Sequence, residues 1–157
     1  MRIFVTGMTG FLGDQLATKL LERGHTLGTM ARNVASADRP IAQNTESMIR
    51  GEKRKGVSYY YGDLTDYLNI HDILLNFKPE VIIHFAEQPS APYSMRNYSS
   101  AHLTFKNNLE TTFNLIWAVK ELAPRCHIVK LGTMGEYGTP NIDIEEGWLN
   151  IHHNGRN

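Results

Sequence analysis

At 157 residues, 41% of them hydrophobic and 20% charged, the chain has the length and composition of about one soluble globular domain with a real core. Sixteen basic side chains balance sixteen acidic ones, which argues against a nucleic-acid binder that relies on bulk charge. A single cysteine, Cys126, excludes an intrachain disulfide, and no apolar run approaches the ~20 residues of a membrane span.

The chain opens on a short apolar run, Arg2–Val5, expected to be a strand beginning at residue 2 without a preceding signal or transit peptide. Cytoplasm is the expected compartment. Gly7, Gly10 and Gly13 follow at G-x-x-G-x-x-G spacing, where strand should turn into helix. Gly7 permits a tight turn, Gly10 lets backbone approach a pyrophosphate, and Gly13 lets helix and strand pack closely. With the intervening Thr9, Phe11 and Leu12, these residues form the expected phosphate cradle, its free N–H groups facing the ligand charge. The plain alternative is a structural glycine turn in an α/β domain with another ligand.

Leu12, Leu16, Leu20 and Leu21 recur at helical spacing up to Arg23, and Gly24 caps the helix. His25 to Ala31 reads as a second strand, weakened by Gly28. Residues 32–56 are polar and are expected to form a loop with one helical turn. Val57–Tyr61 is a third strand, Tyr67–Phe77 a short helix stopped by Lys78-Pro79, and Glu80–Ala86 a strand buried on both faces. A loop is expected over 87–100, a long helix over Leu103–Ala123, and a fifth strand over Cys126–Leu131. No element is expected from Glu136 onward, and there is no internal repeat.

The alternation of strands and helices demands a parallel sheet with right-handed crossovers. The expected fold is α/β, a Rossmann-type doubly wound sheet of order 3-2-1-4-5, truncated after the fifth strand. Ligands then lie along the carboxyl ends of the strands, where every distinctive polar cluster falls. An acidic residue about 20 positions past the glycines would bind the ribose of NAD; Ala31-Arg32 stands there instead. Arg32 can accept a 2′-phosphate, which admits NADP, or it is a solvated surface residue. Asp63, with the Leu64 N–H, can read an adenine edge, or it caps the next helix, a task that Thr65 or Asp66 would do better. The hydroxyl of Thr133 can bond a substrate alcohol, or it is a satisfied loop residue. Asn107 and Asn108 read as surface amides, or one of them holds a backbone group or water beside a cofactor. His84 reads as a packed core histidine and Cys126 as a small buried hydrophobe. His152-His153 has no partners at zinc-like spacing, so no metal site is expected.

Together, Thr6-Gly7-x-x-Gly10-x-x-Gly13, Asp63-Leu64, His84-Phe85-Ala86 and Asn108-Leu109-x-x-Thr112 resemble the extended short-chain dehydrogenase/reductase family of NAD-dependent epimerases and dehydratases. In the last segment Thr111 replaces the family's glycine. Phe85 to Met95 and Val129 to Gly147 resemble its UDP-sulfoquinovose synthase branch, and His153-Asn154-Gly155-Arg156 fits too. The resemblance implies an enzyme that binds UDP-glucose and sulfite, with tightly held NAD oxidising sugar C4 transiently. It assigns Phe85, Ala86 and Asn108 to the cofactor, and Glu87, Gln88, Ser90, Met134, Glu136 and Tyr137 to substrate. Thr133 matches the active-site threonine. Charge balance and the lack of a long apolar run lead to the expectation of no nucleic-acid and no membrane partner, and a homodimer is allowed in the full-length form.

Two departures stand out. The acidic ribose-binding residue is absent around Ala31-Arg32, and Pro89 stands where a basic residue is expected. A relative acting on another nucleotide sugar is therefore an alternative. No tyrosine is followed four residues later by lysine, so the family's Tyr-x-x-x-Lys acid–base pair is not among these residues. The expectation is residues 1–157 as the N-terminal part of an NAD(P)-binding Rossmann domain, inactive by itself, marginally stable, and lacking the C-terminal sugar-binding domain. A non-catalytic NAD(P)-binding module is the competing reading.

Overall fold

The computed structural model describes residues 1–32, 56–132, 147 and 152–156. Its elements in chain order are β1 (Arg2–Thr6), α1 (Phe11–Glu22), β2 (Thr26–Ala31), β3 (Val57–Tyr61), α2 (Tyr67–Phe77), β4 (Val81–His84), α3 (Ala91–Ser94), α4 (Tyr98–Leu122) and β5 (His127–Lys130). The strands form one parallel sheet of order β3-β2-β1-β4-β5, the order expected from the sequence.

Alternation along the strands sends side chains to two cores. Phe4 and Ile82 pack with Ile70, Leu74, Phe77, Leu115 and Ala118 from α2 and α4 on one face. Ile3, Val5, Leu27 and Ile83 pack with Ala17 and Leu20 of α1 on the other. The central strands β1 and β4 are thus buried on both sides, as a continuous apolar run requires. Gly28 does not break β2. A Cβ there would stand 2.7 Å from Phe4 Cδ2 and 3.0 Å from Phe77 Cζ. The missing side chain makes room for two rings.

Helix ends follow local chemistry. Gly24 has φ 76°, and the N–H of His25 donates to the carbonyl of Leu20, so α1 closes on a left-handed glycine cap. Asp66 caps α2 by accepting from the N–H of Leu68, and Lys78 ends it at φ 52°. The long helix differs from expectation. It begins at Tyr98 rather than Leu103, because Asn97 Oδ1 accepts from the N–H of Ser100. The stretch expected to be loop also contains α3, started by Ser90 with Pro92 in its first turn. Cys126 lies just ahead of β5 and packs partly buried against the core, which raises its thiol pKa by desolvation.

The β5 side is open among the described residues. Val129 and Leu131 are exposed there, and so are Phe105, Leu109, Phe113 and Trp117 on the outer face of α4. No described helix is long and apolar enough to cross a membrane. The turn expected within 32–56 lies outside the described residues, apart from its two ends.

Candidate functional site: a cavity at the carboxyl edge of the sheet

Parallel strands deliver their carboxyl ends to one edge, and there the chain forms an open cavity of ≈ 300 Å³. It sits where the chain crosses between the halves of the sheet, with β1 and β4 side by side. Gly7, Thr9 and Gly10 form its floor, Arg32 and Asp63 one end, and Phe85, Ala86, Glu87 and Gln88 the other.

The three glycines do separate work. Gly7 has φ 67°, and a Cβ on it would meet the backbone of Phe85 and Ala86 at 2.8–2.9 Å. The turn therefore needs glycine both for its conformation and for its approach to β4. Gly13 does not line the cavity. A Cβ there would meet Gly7 O and Met8 Cα at 2.5 Å, so it lets α1 pack against the turn. Gly10 is the N-cap of α1, with no side chain to cap the helix, and it faces the cavity. The first-turn donors keep no side-chain cap, and a helix N-terminus left so attracts anions. Phe11 and Leu12 occupy that turn, their side chains exposed and outside the cavity wall.

At the β3 end, Asp63 Oδ1 accepts from the Thr65 N–H and the Thr65 hydroxyl, both at 2.9 Å. Capping of α2 falls to Asp66, which leaves Asp63 on the cavity wall. Asn114 donates to the carbonyls of Leu64 and Thr65 and ties this loop to α4. Arg32, just past β2, is exposed and lines the same end.

At the β4 end, Asn108 holds Gln88 at two points. Its Oδ1 accepts from the Gln88 N–H at 2.8 Å, and its Nδ2 donates to the Gln88 carbonyl at 3.1 Å. Asn107 Nδ2 donates to the Ala86 carbonyl at 3.4 Å. Of these two amides, Asn107 lines the cavity and Asn108 stands behind it. Ser90 also lies off the wall, accepting from the Tyr93 N–H as the cap of α3.

His84 is buried as expected, with polar partners that its sequence context did not reveal. Thr6 Oγ1 accepts from the N–H groups of Phe85 and Ala86, both at 3.1 Å. Its one proton is then directed at His84 Nδ1, 2.7 Å away. The neutral ring therefore carries its proton on Nε2, which faces Thr112 Oγ1 at 3.4 Å and Glu87 Oε1 at 3.9 Å. Desolvation holds the His84 pKa below its ordinary value, opposed by Glu87 and aided by Lys130. Lys130 Nζ stands 3.0 Å from Glu87 Oε1.

The cavity also uses Met30, Gly62, Leu103, Asn107 and Thr111, of which sequence reading singled out only Asn107 as a site candidate. Thr111 stands out in the sequence only as a departure from the family pattern. Lys130 was missed too, although a lysine inside the apolar run Ile128–Leu131 is a visible signal. Thr133, Met134, Glu136 and Tyr137 lie outside the described residues. Among the described residues, no three His, Cys, Asp or Glu side chains gather to hold a metal.

Known proteins resemble this arrangement. The chain is 40% identical to the chloroplastic UDP-sulfoquinovose synthase of Spinacia oleracea over 99% of its own length and 34% of that protein's. It is 45% identical to the UDP-sulfoquinovose synthase of Sulfolobus acidocaldarius over 93% of its own length and 40% of that protein's. The chain thus spans between a third and two fifths of these relatives. Among solved structures, the UDP-glucose 4-epimerase of Thermus thermophilus in complex with NAD superimposes with a TM-score of 0.62 at 26% identity, covering 78% of this chain and 34% of that one. Residues 4–147 match the GDP-mannose 4,6 dehydratase family, and with sheet order, glycine turn and relatives in agreement, the chain belongs to that family.

Proposed function

We propose that residues 1–157 form the N-terminal part of the dinucleotide-binding domain of a nucleotide-sugar-modifying enzyme of the UDP-sulfoquinovose synthase type. The observation that carries this is the glycine floor of the cavity. Gly7 and Gly10 bring bare backbone to its surface at the N-terminus of α1, where a Cβ on Gly7 would collide with β4. That is the chemistry a pyrophosphate needs, namely close backbone approach and N–H donors.

The residues present fit NAD. Gly7, Thr9, Gly10 and the first turn of α1 would take the phosphates, Asp63 and Leu64 the adenine, and Phe85 and Ala86 the far half. Arg32 adds a cation on the adenosine side, so NADP competes as ligand. NAD, when bound, would supply a reversible hydride acceptor for the transient oxidation of a sugar alcohol. The chain's own residues position the reactants. Gln88, with Met134, Glu136 and Tyr137, would face the sugar nucleotide, Glu87 would stand at the border between the sugar nucleotide and the far half of NAD, and Thr133 would hydrogen-bond the alcohol being oxidised. UDP-glucose and sulfite are the substrates supported by the two synthases at 40% and 45% identity.

Calorimetric titration with NAD and NADP tests the cofactor half. Binding of either at micromolar to millimolar concentration is expected, and binding of neither sinks the proposal. Substrate choice is tested in a protein that joins this domain to the Tyr-x-x-x-Lys pair and a sugar-binding domain. Such a protein is expected to consume UDP-glucose only when sulfite is present, whereas sulfite-independent epimerisation would favour another member of the family. These 157 residues alone are expected to give no turnover.

A further inference from the structure

Glu87 is the acidic side chain at the β4 end of the cavity wall, and its two oxygens are not equivalent. Oε1 receives Lys130 Nζ at 3.0 Å and the Thr112 hydroxyl at 3.4 Å, and His84 Nε2 stands 3.9 Å from it. Oε2 has no partner among the described residues. The three groups that converge on Oε1 come from three elements, β5, α4 and β4, and none of the three lines the cavity. A carboxylate gripped on one oxygen from behind holds the other in a fixed place.

Its surroundings show what that oxygen can take. An anion is excluded there by the carboxylate's own charge. A hydroxyl group is a donor of the right strength, and a charge-assisted O–H···O⁻ bond is short and strong. Across the sheet, Asp63 and Arg32 stand over β3 and β2, the glycine floor over β1, and Glu87 over β4 toward β5. A dinucleotide laid along that edge with its phosphates on the glycines places its second sugar, rather than its adenosine, beside Glu87.

We infer that Glu87 Oε2 accepts a hydroxyl of the sugar that lies beyond the pyrophosphate, and that Lys130 is a positioning residue that fixes Glu87 for this contact. The inference rests on the dinucleotide reading above. Lys130 has a second effect in the same direction. Its charge offsets that of Glu87, so an acidic residue can sit near a doubly negative pyrophosphate at reduced cost.

ADP and ADP-ribose separate this contact from general effects on folding or phosphate binding, since they differ by the distal ribose. The readout is the ratio of their affinities by calorimetry. E87A is expected to lower the preference for ADP-ribose over ADP by about tenfold to a hundredfold, the usual range for a hydrogen bond to a charged group. K130M is expected to lower it in the same direction, and K130R to restore it. Should K130M fail to fold, E87A decides alone. An unchanged ratio in E87A, or a parallel loss of both ligands, overturns the inference and leaves the dinucleotide reading standing. A wild-type chain that binds neither ADP nor ADP-ribose overturns both.

Discussion

Thr6 Oγ1 lies 2.7 Å from His84 Nδ1 inside the sheet, joining residues 78 apart in sequence through the parallel register of β1 and β4. The same hydroxyl accepts the N–H groups of Phe85 and Ala86, so one oxygen fixes both the histidine ring and the first residues of the cavity wall. Valine has the shape of threonine without the hydroxyl. Thr6→Val leaves His84 Nδ1 and the Ala86 N–H without their partner in a buried place, and should cost about 2 kcal/mol of stability. Thr6→Ser should recover most of it. Urea denaturation of the three proteins measures this, and equal midpoints for Val and Ser would show that the hydroxyl contributes nothing.

The buried ring also makes stability depend on pH. Burial lowers the folded-state pKa of His84 below its ordinary 6.5, so the folded protein resists the proton that the unfolded chain accepts. Between the two values the unfolded state binds more protons. Stability is therefore full above about pH 6.5 and falls as pH drops through that value toward the folded pKa. Denaturation midpoints should decline from pH 7.5 to pH 5.5 in the wild type. His84→Gln cannot titrate and should flatten that decline. A slope of the same size in both proteins would assign the effect to other groups.

Gly10 and Gly13 should separate into a binding and a folding role. At Gly10 an added Cβ meets Gly7 O at 3.2 Å and no other atom within 4 Å. At Gly13 the added Cβ meets backbone at 2.5 Å. Gly13→Ala should therefore destabilise by about 1–3 kcal/mol, as overpacking does. Gly10→Ala should keep a near-native melting temperature while NAD affinity falls about tenfold, because its methyl group stands where a phosphate approaches. Melting curves and calorimetry on the two variants check this. A Gly10→Ala protein that binds NAD as tightly as wild type would remove Gly10 from the site.

Sheet order, the glycine turn and the Asp63 end of the cavity were legible in the sequence because they depend on local signals, whereas Phe85 to Gln88 were marked only by resemblance to the family. Gly7 to Gly13, the apolar runs of β1 and β4, and Asp63 after Tyr59-Tyr60-Tyr61 each announce themselves within a few residues. What escaped depends on register or on a cap. His84 reads as a core residue until β1 and β4 are aligned and Thr6 falls beside it. Lys130 gains a role only when β5 pairs with β4 and brings it to Glu87. The start of α4 was placed five residues late, since Tyr98-Ser99-Ser100 has the composition of a loop while the deciding signal is the Asn97 cap. Asn108 fell between these cases. Its neighbourhood reads as that of a surface amide and only the family resemblance marks it, while the partner, Gln88, lies 20 residues away.

Asn108 supplies the last prediction. The loop after β4 carries Glu87 and Gln88 in the cavity wall and has no regular ladder to hold it. It relies on Asn108, which pairs with both backbone groups of Gln88 in the manner of a neighbouring strand. Leucine is close to asparagine in size and offers neither a donor nor an acceptor. In Asn108→Leu the Gln88 N–H loses its acceptor, and its exchange with solvent hydrogen should quicken by about tenfold, as expected for losing about one hydrogen bond's worth of protection. The Ala118 N–H, buried in the same helix, should keep its rate, which separates local loosening from global destabilisation. Hydrogen exchange followed by NMR at these two amides provides the measurement. Equal acceleration at Gln88 and Ala118 would mean that Asn108 supports the helix as a whole, and no change at Gln88 would mean that the loop is held by other contacts.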